Sequence, residues 1–90
     1  MKLSQSMAWK IELTEEAEAF LQKLAKSDRK TLSLIYKKLL VFAENPKQFG
    51  KPLIGDKQGI WRYRVGNYRI LCHLNDGRLL ILVLIIDNSQ

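Results

Sequence analysis

Apolar and polar residues alternate with a period of two over residues 60–74, and a nearly unbroken apolar run follows over 79–86. A period of two is that of a strand whose sides face different surroundings, so this stretch predicts three strands, broken at Gly66-Asn67 and at Asp76-Gly77. With a two-residue turn at Gly66-Asn67, Val65 pairs with Tyr68, Arg64 with Arg69, Tyr63 with Ile70 and Arg62 with Leu71. Trp61, Tyr63, Val65, Tyr68, Ile70 and Cys72 then share one face, and Arg62, Arg64, Arg69, Leu71 and His73 the other. An Asp76-Gly77 turn of the same length pairs Leu74 with Leu79, Cys72 with Ile81 and Ile70 with Val83. It places Leu80, Leu82, Leu84 and Ile86 on the arginine face beside Leu71. A three-residue turn at Asn75 to Gly77 exchanges those faces.

Upstream, Trp9, Ile11 and Leu13 alternate with Lys10 and Glu12, which suits a short half-buried strand over 8–13. Thr14 caps a helix with Glu15 and Glu16 in its first turn and Ala17, Phe20, Leu21 and Leu24 along one side. Ser27 or Asp28 caps a second helix, whose stripe is Leu32, Ile35, Leu39, Phe42 and Ala43. Asn45-Pro46 ends it, because the residue before proline is pushed away from helical angles. Residues 47–59 read as a loop from their glycines and proline, pinned to the core by Leu53 and Ile54. The fold class is α+β: a strand, a two-helix hairpin and a three-stranded antiparallel meander, with the helices packed on one face of the sheet. A last strand apolar on both sides belongs inside the sheet with both faces covered. The helices cover one, so the other is expected to receive a partner.

Composition narrows the class. Ninety residues, 47% apolar, suit a single domain over 1–90 with a loose tail over 1–6. No apolar run approaches the ~20 residues of a membrane span and no export signal is apparent at the start, so the expectation is a cytoplasmic protein with no membrane contact. The one cysteine, Cys72, reads as a small buried hydrophobe. Neither it nor His73 has the companions a metal site needs, and no cofactor is expected. The glycines of the loop lack the spacing of a phosphate-binding P-loop.

The net charge of +6 is unevenly spread, with ten lysines and arginines against two acids over 29–69. That middle segment points to an acidic partner. Arg64 facing Arg69 across a strand pair is an unfavourable like-charge contact. A polyanion relieves it; so do the chain's own carboxylates.

The element order, GKPLIG at 50–55 and WRYRVGNYRILC at 61–72, resembles the RelE family of bacterial toxin–antitoxin toxins, within the RelE/ParE superfamily. The likeness runs from residue 7 to about residue 86 and is most specific over 53–69. The basic Arg62-Tyr63-Arg64 triplet before Gly-x-Tyr-Arg is more similar to the ribosome-dependent messenger-RNA cutters than to the gyrase poisons. The resemblance implies a toxin that enters the ribosomal A site and cleaves mRNA there. It also implies silencing by a cognate antitoxin, with operator DNA bound only through that antitoxin. Carried over by position, Arg62 and Arg64 are the alternating basic residues of the second meander strand, and Arg69 is the arginine of the Tyr-Arg motif. These three are the expected catalytic residues. The family's last strand is followed by a basic segment with an arginine and a tyrosine, whereas the residues here are Asp87-Asn88-Ser89-Gln90 and supply no counterparts.

Arginine suits the stabilisation of phosphate charge, because its planar fork holds two oxygens at once. Its pKa makes it a poor general base at neutral pH. Lys51 and Lys57 in the loop, and Lys37 and Lys38 on the second helix, are expected RNA contacts. Leu80, Leu82, Leu84 and Ile86 are expected to receive an amphipathic antitoxin helix. Two other readings stand beside mRNA cleavage: a catalytically impaired module that binds its antitoxin as a corepressor, and a ParE-like inhibitor of DNA gyrase.

Overall fold

The computed structural model describes residues 8–55 and 58–88. The tail expected over 1–6 lies outside the described residues. The first strand, β1 (Lys10–Leu13), alternates exposed and half-buried residues. Thr14 ends it and starts the next element: its side-chain oxygen accepts from the Ala17 amide at 3.1 Å, while its hydroxyl donates to the Leu84 carbonyl at 2.7 Å. Helix α1 (Glu15–Ser27) buries Ala17, Leu21 and Leu24. Asp28 then closes α1 and caps α2 (Arg29–Glu44), accepting hydrogen bonds from the Thr31 hydroxyl and amide that hold its carboxyl below the usual range. The buried stripe of α2 is Ile35, Leu39, Phe42 and Ala43, as the helical spacing predicts.

Three-dimensional packing overrides the loop expected over 47–59. Pro46, whose fixed φ suits a first helical position, opens a single turn, α3 (Pro46–Phe49), and a two-residue strand follows, β2 (Lys51–Pro52). Tyr63 anchors the segment from below. Its hydroxyl donates to the Pro46 carbonyl at 2.8 Å, and its ring lies so close to Gly50 that a Cβ there would sit 2.6 Å from it. Leu53 is half-buried, with its amide bonded to the Ile60 carbonyl, but Ile54 is 92% exposed and pins nothing.

The meander comprises β3 (Ile60–Val65), β4 (Tyr68–Asn75) and β5 (Leu80–Asn88). The five-stranded sheet has the order β1-β5-β4-β3-β2, with β1 parallel to β5 and the other pairs antiparallel. The β3–β4 register is the predicted one, from Val65 opposite Tyr68 to Arg62 opposite Leu71, around a turn in which Gly66 has φ +59°.

The β4–β5 register differs from the two-residue-turn expectation. Four residues, Asp76 to Leu79, make the connection, and Leu79 takes a left-handed φ of +49°. Leu74 therefore meets Ile81 and Cys72 meets Val83. This displacement of two residues preserves the faces, so Ile81 and Val83 stay in the core. A bulge then adds one residue: Leu71 pairs with Ile85 and Ile70 with Ile86, leaving Leu84 as the extra position. The bulge reverses the parity of everything beyond it. Ile86 is 3% exposed and belongs to the core, so its expected place in the partner-facing row is corrected to Ile85.

Candidate functional site

Alternation along β3 sends Tyr63 and Val65 beneath the helices and leaves Arg62 and Arg64 on the open face. Pairing carries that face across the sheet in rows: Lys51, Arg62, Leu71 and Ile85 form one, and Arg64, Arg69 and Asp87 the next. The face thus has a cationic end at β2 and β3 and an apolar end at β5.

Phe49, Lys51, Arg62 and Arg64 line a shallow pocket of about 260 Å³ at the cationic end. Its aromatic wall continues into the core, because the Phe49 ring lies 5.8 Å from Phe42, which stacks on Tyr63 at 4.8 Å. Burial pushes the Tyr63 hydroxyl above its ordinary pKa, so it acts as a neutral hydrogen-bond donor to α3. Three cations around one hollow suit a phosphate group, which arginine forks and a lysine ammonium hold through charge-assisted hydrogen bonds.

Arg69 stands apart in its electrostatics. Its Nη2 is 2.9 Å and its Nε 3.3 Å from the two carboxylate oxygens of Asp87, its cross-strand partner. That hydrogen bond and charge raise the guanidinium pKa further. The like-charge contact with Arg64 is therefore offset within the chain. Asp87 was not legible as a site residue, because an unbulged register puts another residue opposite Arg69.

The remaining expected residues are distributed differently. Lys51 lines the pocket, whereas Lys57 lies outside the described residues. Lys37 and Lys38 are exposed on α2, in the layer covering the opposite face, and do not join the arginines. His73 is on the open face, but it pairs with Ile60 and packs over Gly59, where a Cβ would come 2.9 Å from Nε2. It lies about 13 Å along β4 from Arg69 at ~3.3 Å per residue. Leu80 is buried, and Leu82 and Leu84 are half-buried. Phe49 went unnoticed because one aromatic inside a glycine-rich stretch gives no periodic signal.

The family model of the ParE toxin of the type II toxin–antitoxin system parDE matches residues 11–90. The chain belongs to the RelE/ParE toxin family. No curated protein matches the toxin's sequence. Solved structures share its fold. A RelBE2 toxin–antitoxin complex from Mycobacterium tuberculosis matches at 24% identity and a TM-score of 0.80, covering 91% of the toxin and 99% of the other chain. The YoeB/ParE toxin of Agrobacterium tumefaciens matches at 17% identity and 0.75, covering 90% and 99%. The isolated RelE toxin of Escherichia coli matches at 21% and 0.74, covering 92% and 86%. These likenesses place the two-helix layer and the mixed sheet in the RelE-like fold. Among the toxin's described residues no helix is long and apolar enough to cross a membrane.

Proposed function

We propose that the toxin inhibits translation by cutting messenger RNA in the ribosomal A site, with the open sheet face against the RNA. The observation that carries this reading is the grouping of Lys51, Arg62 and Arg64 around one pocket with Phe49 at its edge. In the proposed reaction the ribose 2′-oxygen attacks the adjacent phosphorus and the 5′-oxygen leaves, taking up a proton as the 2′-hydroxyl loses one. Arg62 and Arg64 offset the charge that gathers on the phosphate oxygens, and Lys51 holds the strand. Phe49 offers a surface for a base to stack on.

The apolar end of the same face, Leu82 and Ile85 with Leu84 in the bulge, would receive an amphipathic segment of the cognate antitoxin. Complexes with antitoxins are known for the RelE-like proteins of M. tuberculosis and for the YoeB–YefM pair of Staphylococcus aureus. Any operator DNA would be contacted through that antitoxin.

Primer extension on a messenger held in a programmed ribosome, beside the same messenger free in solution, tests the activity. Cuts confined to the A-site codon, and lost in Arg62→Ala and Arg64→Ala proteins that remain folded, are expected. The description of the matching family model favours a second reading, gyrase inhibition. It predicts DNA breaks in the presence of gyrase and an uncut messenger. A folded protein that does neither leaves the antitoxin-binding module.

A further inference from the structure

We infer that Asp87 is a built-in counter-ion of the RNA face, an internal stand-in for a phosphate that withholds Arg69 from the nucleic acid and leaves strand binding to Lys51, Arg62 and Arg64. The inference rests on the RNA-directed reading above and reassigns one of its arginines.

Three observations lead to it. The Asp87 carboxylate spans Arg69 through both oxygens, at 2.9 and 3.3 Å, so it takes the Nε–Nη2 edge, one of the paired-donor edges that arginine offers to phosphate. Both side chains are about two-fifths exposed, at 42% and 41%, so the pair lies at the surface where RNA would come. Finally, Arg69 is opposite Arg64 in β3 while Asp87 is opposite Arg69 in β5, so the row runs cation, cation, anion from the pocket outward. Among the described strand residues, the other carboxylate on this face is Glu12. It lies in β1 opposite Leu82, at the far edge of the sheet.

The pairing has a chemical consequence. RNA approaching Arg69 meets a neutral pair, and a phosphate can take the Nε–Nη2 edge only by displacing a carboxylate that the fold already holds in place. Arg69 is thereby a positioning residue. It fixes the end of β5 beside β4 and carries positive charge next to Arg64 without lending it to the strand. Each cation neutralising a phosphate of single-stranded RNA adds about 0.7 to the slope of log affinity against log salt. An arginine held by Asp87 adds nothing.

The test measures binding of a fluorescein-labelled single-stranded RNA dodecamer, and separately of inorganic polyphosphate of similar length, between 50 and 300 mM salt. The wild-type protein is compared with Arg64→Ala, Arg69→Ala, Asp87→Asn and the double variant of Arg69→Ala with Asp87→Asn, which has the wild-type net charge. Arg69→Ala should leave the salt slope unchanged. Asp87→Asn should tighten binding by up to about fivefold at low salt, the ceiling for an exposed ion pair, and steepen the slope by about 0.7. The double variant should return both to wild type.

A loss of affinity and slope in Arg69→Ala equal to that in Arg64→Ala would show Arg69 on the phosphate and overturn the inference. A gain in Asp87→Asn that persists in the double variant would overturn it too, since the gain would then come from loss of a carboxylate near the strand and not from release of Arg69. The polyphosphate arm separates the two claims. The expected pattern on polyphosphate with no RNA binding upholds the counter-ion and sinks the RNA reading. Binding of neither anion by wild type or by Asp87→Asn removes the counter-ion as well.

Discussion

Cys72 is 1% exposed on the helix-covered side of β4, and burial pushes its thiol up to about 12. The reactive form of cysteine is the thiolate. The native protein should therefore remain unlabelled by an aromatic disulfide reagent below pH 9 and release one thiol per chain in denaturant; rapid native labelling would contradict the burial. The same shift links stability to alkaline pH. An unfolded thiol ionises near its ordinary 9.0 while the folded one keeps its proton, so the contribution is complete below that pH and declines as pH rises towards about 12. Tyr63 acts in the same direction, its folded pKa being raised by burial. Tyr63 also shows how one side chain joins core to site: its ring stacks on Phe42, and its hydroxyl fixes the start of the turn that ends at Phe49.

The bulged strand β5 decides which side chains serve the core and which serve the open face. Ile86→Ala should cost roughly 2–5 kcal/mol in urea unfolding, the range for emptying a buried aliphatic site. Ile85→Ala, on the half-exposed face, should cost clearly less while weakening antitoxin binding. The opposite ranking would mean that the bulge is misplaced. Both helices and the β3–β4 hairpin were legible from sequence for local reasons: helical stripes, the caps at Thr14 and Asp28, and a two-residue turn at Gly66-Asn67 that admits one register. The second hairpin was not, because the Asp76-Gly77 signal conceals a longer connection in which Leu79 adopts a conformation that leucine rarely signals. Helix α3 and β2 depend on Tyr63 reaching across to Pro46, a contact of distant residues that no local pattern reports. The parallel pairing of β1 with β5 is equally non-local. Arg62 and Arg64 could be placed on one face from alternation and motif, whereas the place of Lys51 beside them, Phe49 and Asp87 needed these long-range features.

At the scale of the molecule, the sheet is a partition between two basic surfaces. The molecule's extents are 40 × 38 × 22 Å, and the shortest exceeds the screening length of about 8 Å at physiological salt. Cations on α2 are thus electrostatically remote from the pocket. Lys37→Gln combined with Lys38→Gln should change RNA affinity less than twofold at 150 mM salt, while Lys51→Ala should weaken it more; fluorescence anisotropy reads both. The bulge at Leu84 carries one further consequence, for how this chain can vary. Because the period of a strand is two and Leu84 is the one extra residue, removal of its codon would heal the ladder and leave Val83 and Ile86 in the core and Asp87 opposite Arg69, as they are now. The extra residue is thus a change of length that β5 can carry or shed in one step without exchanging its faces.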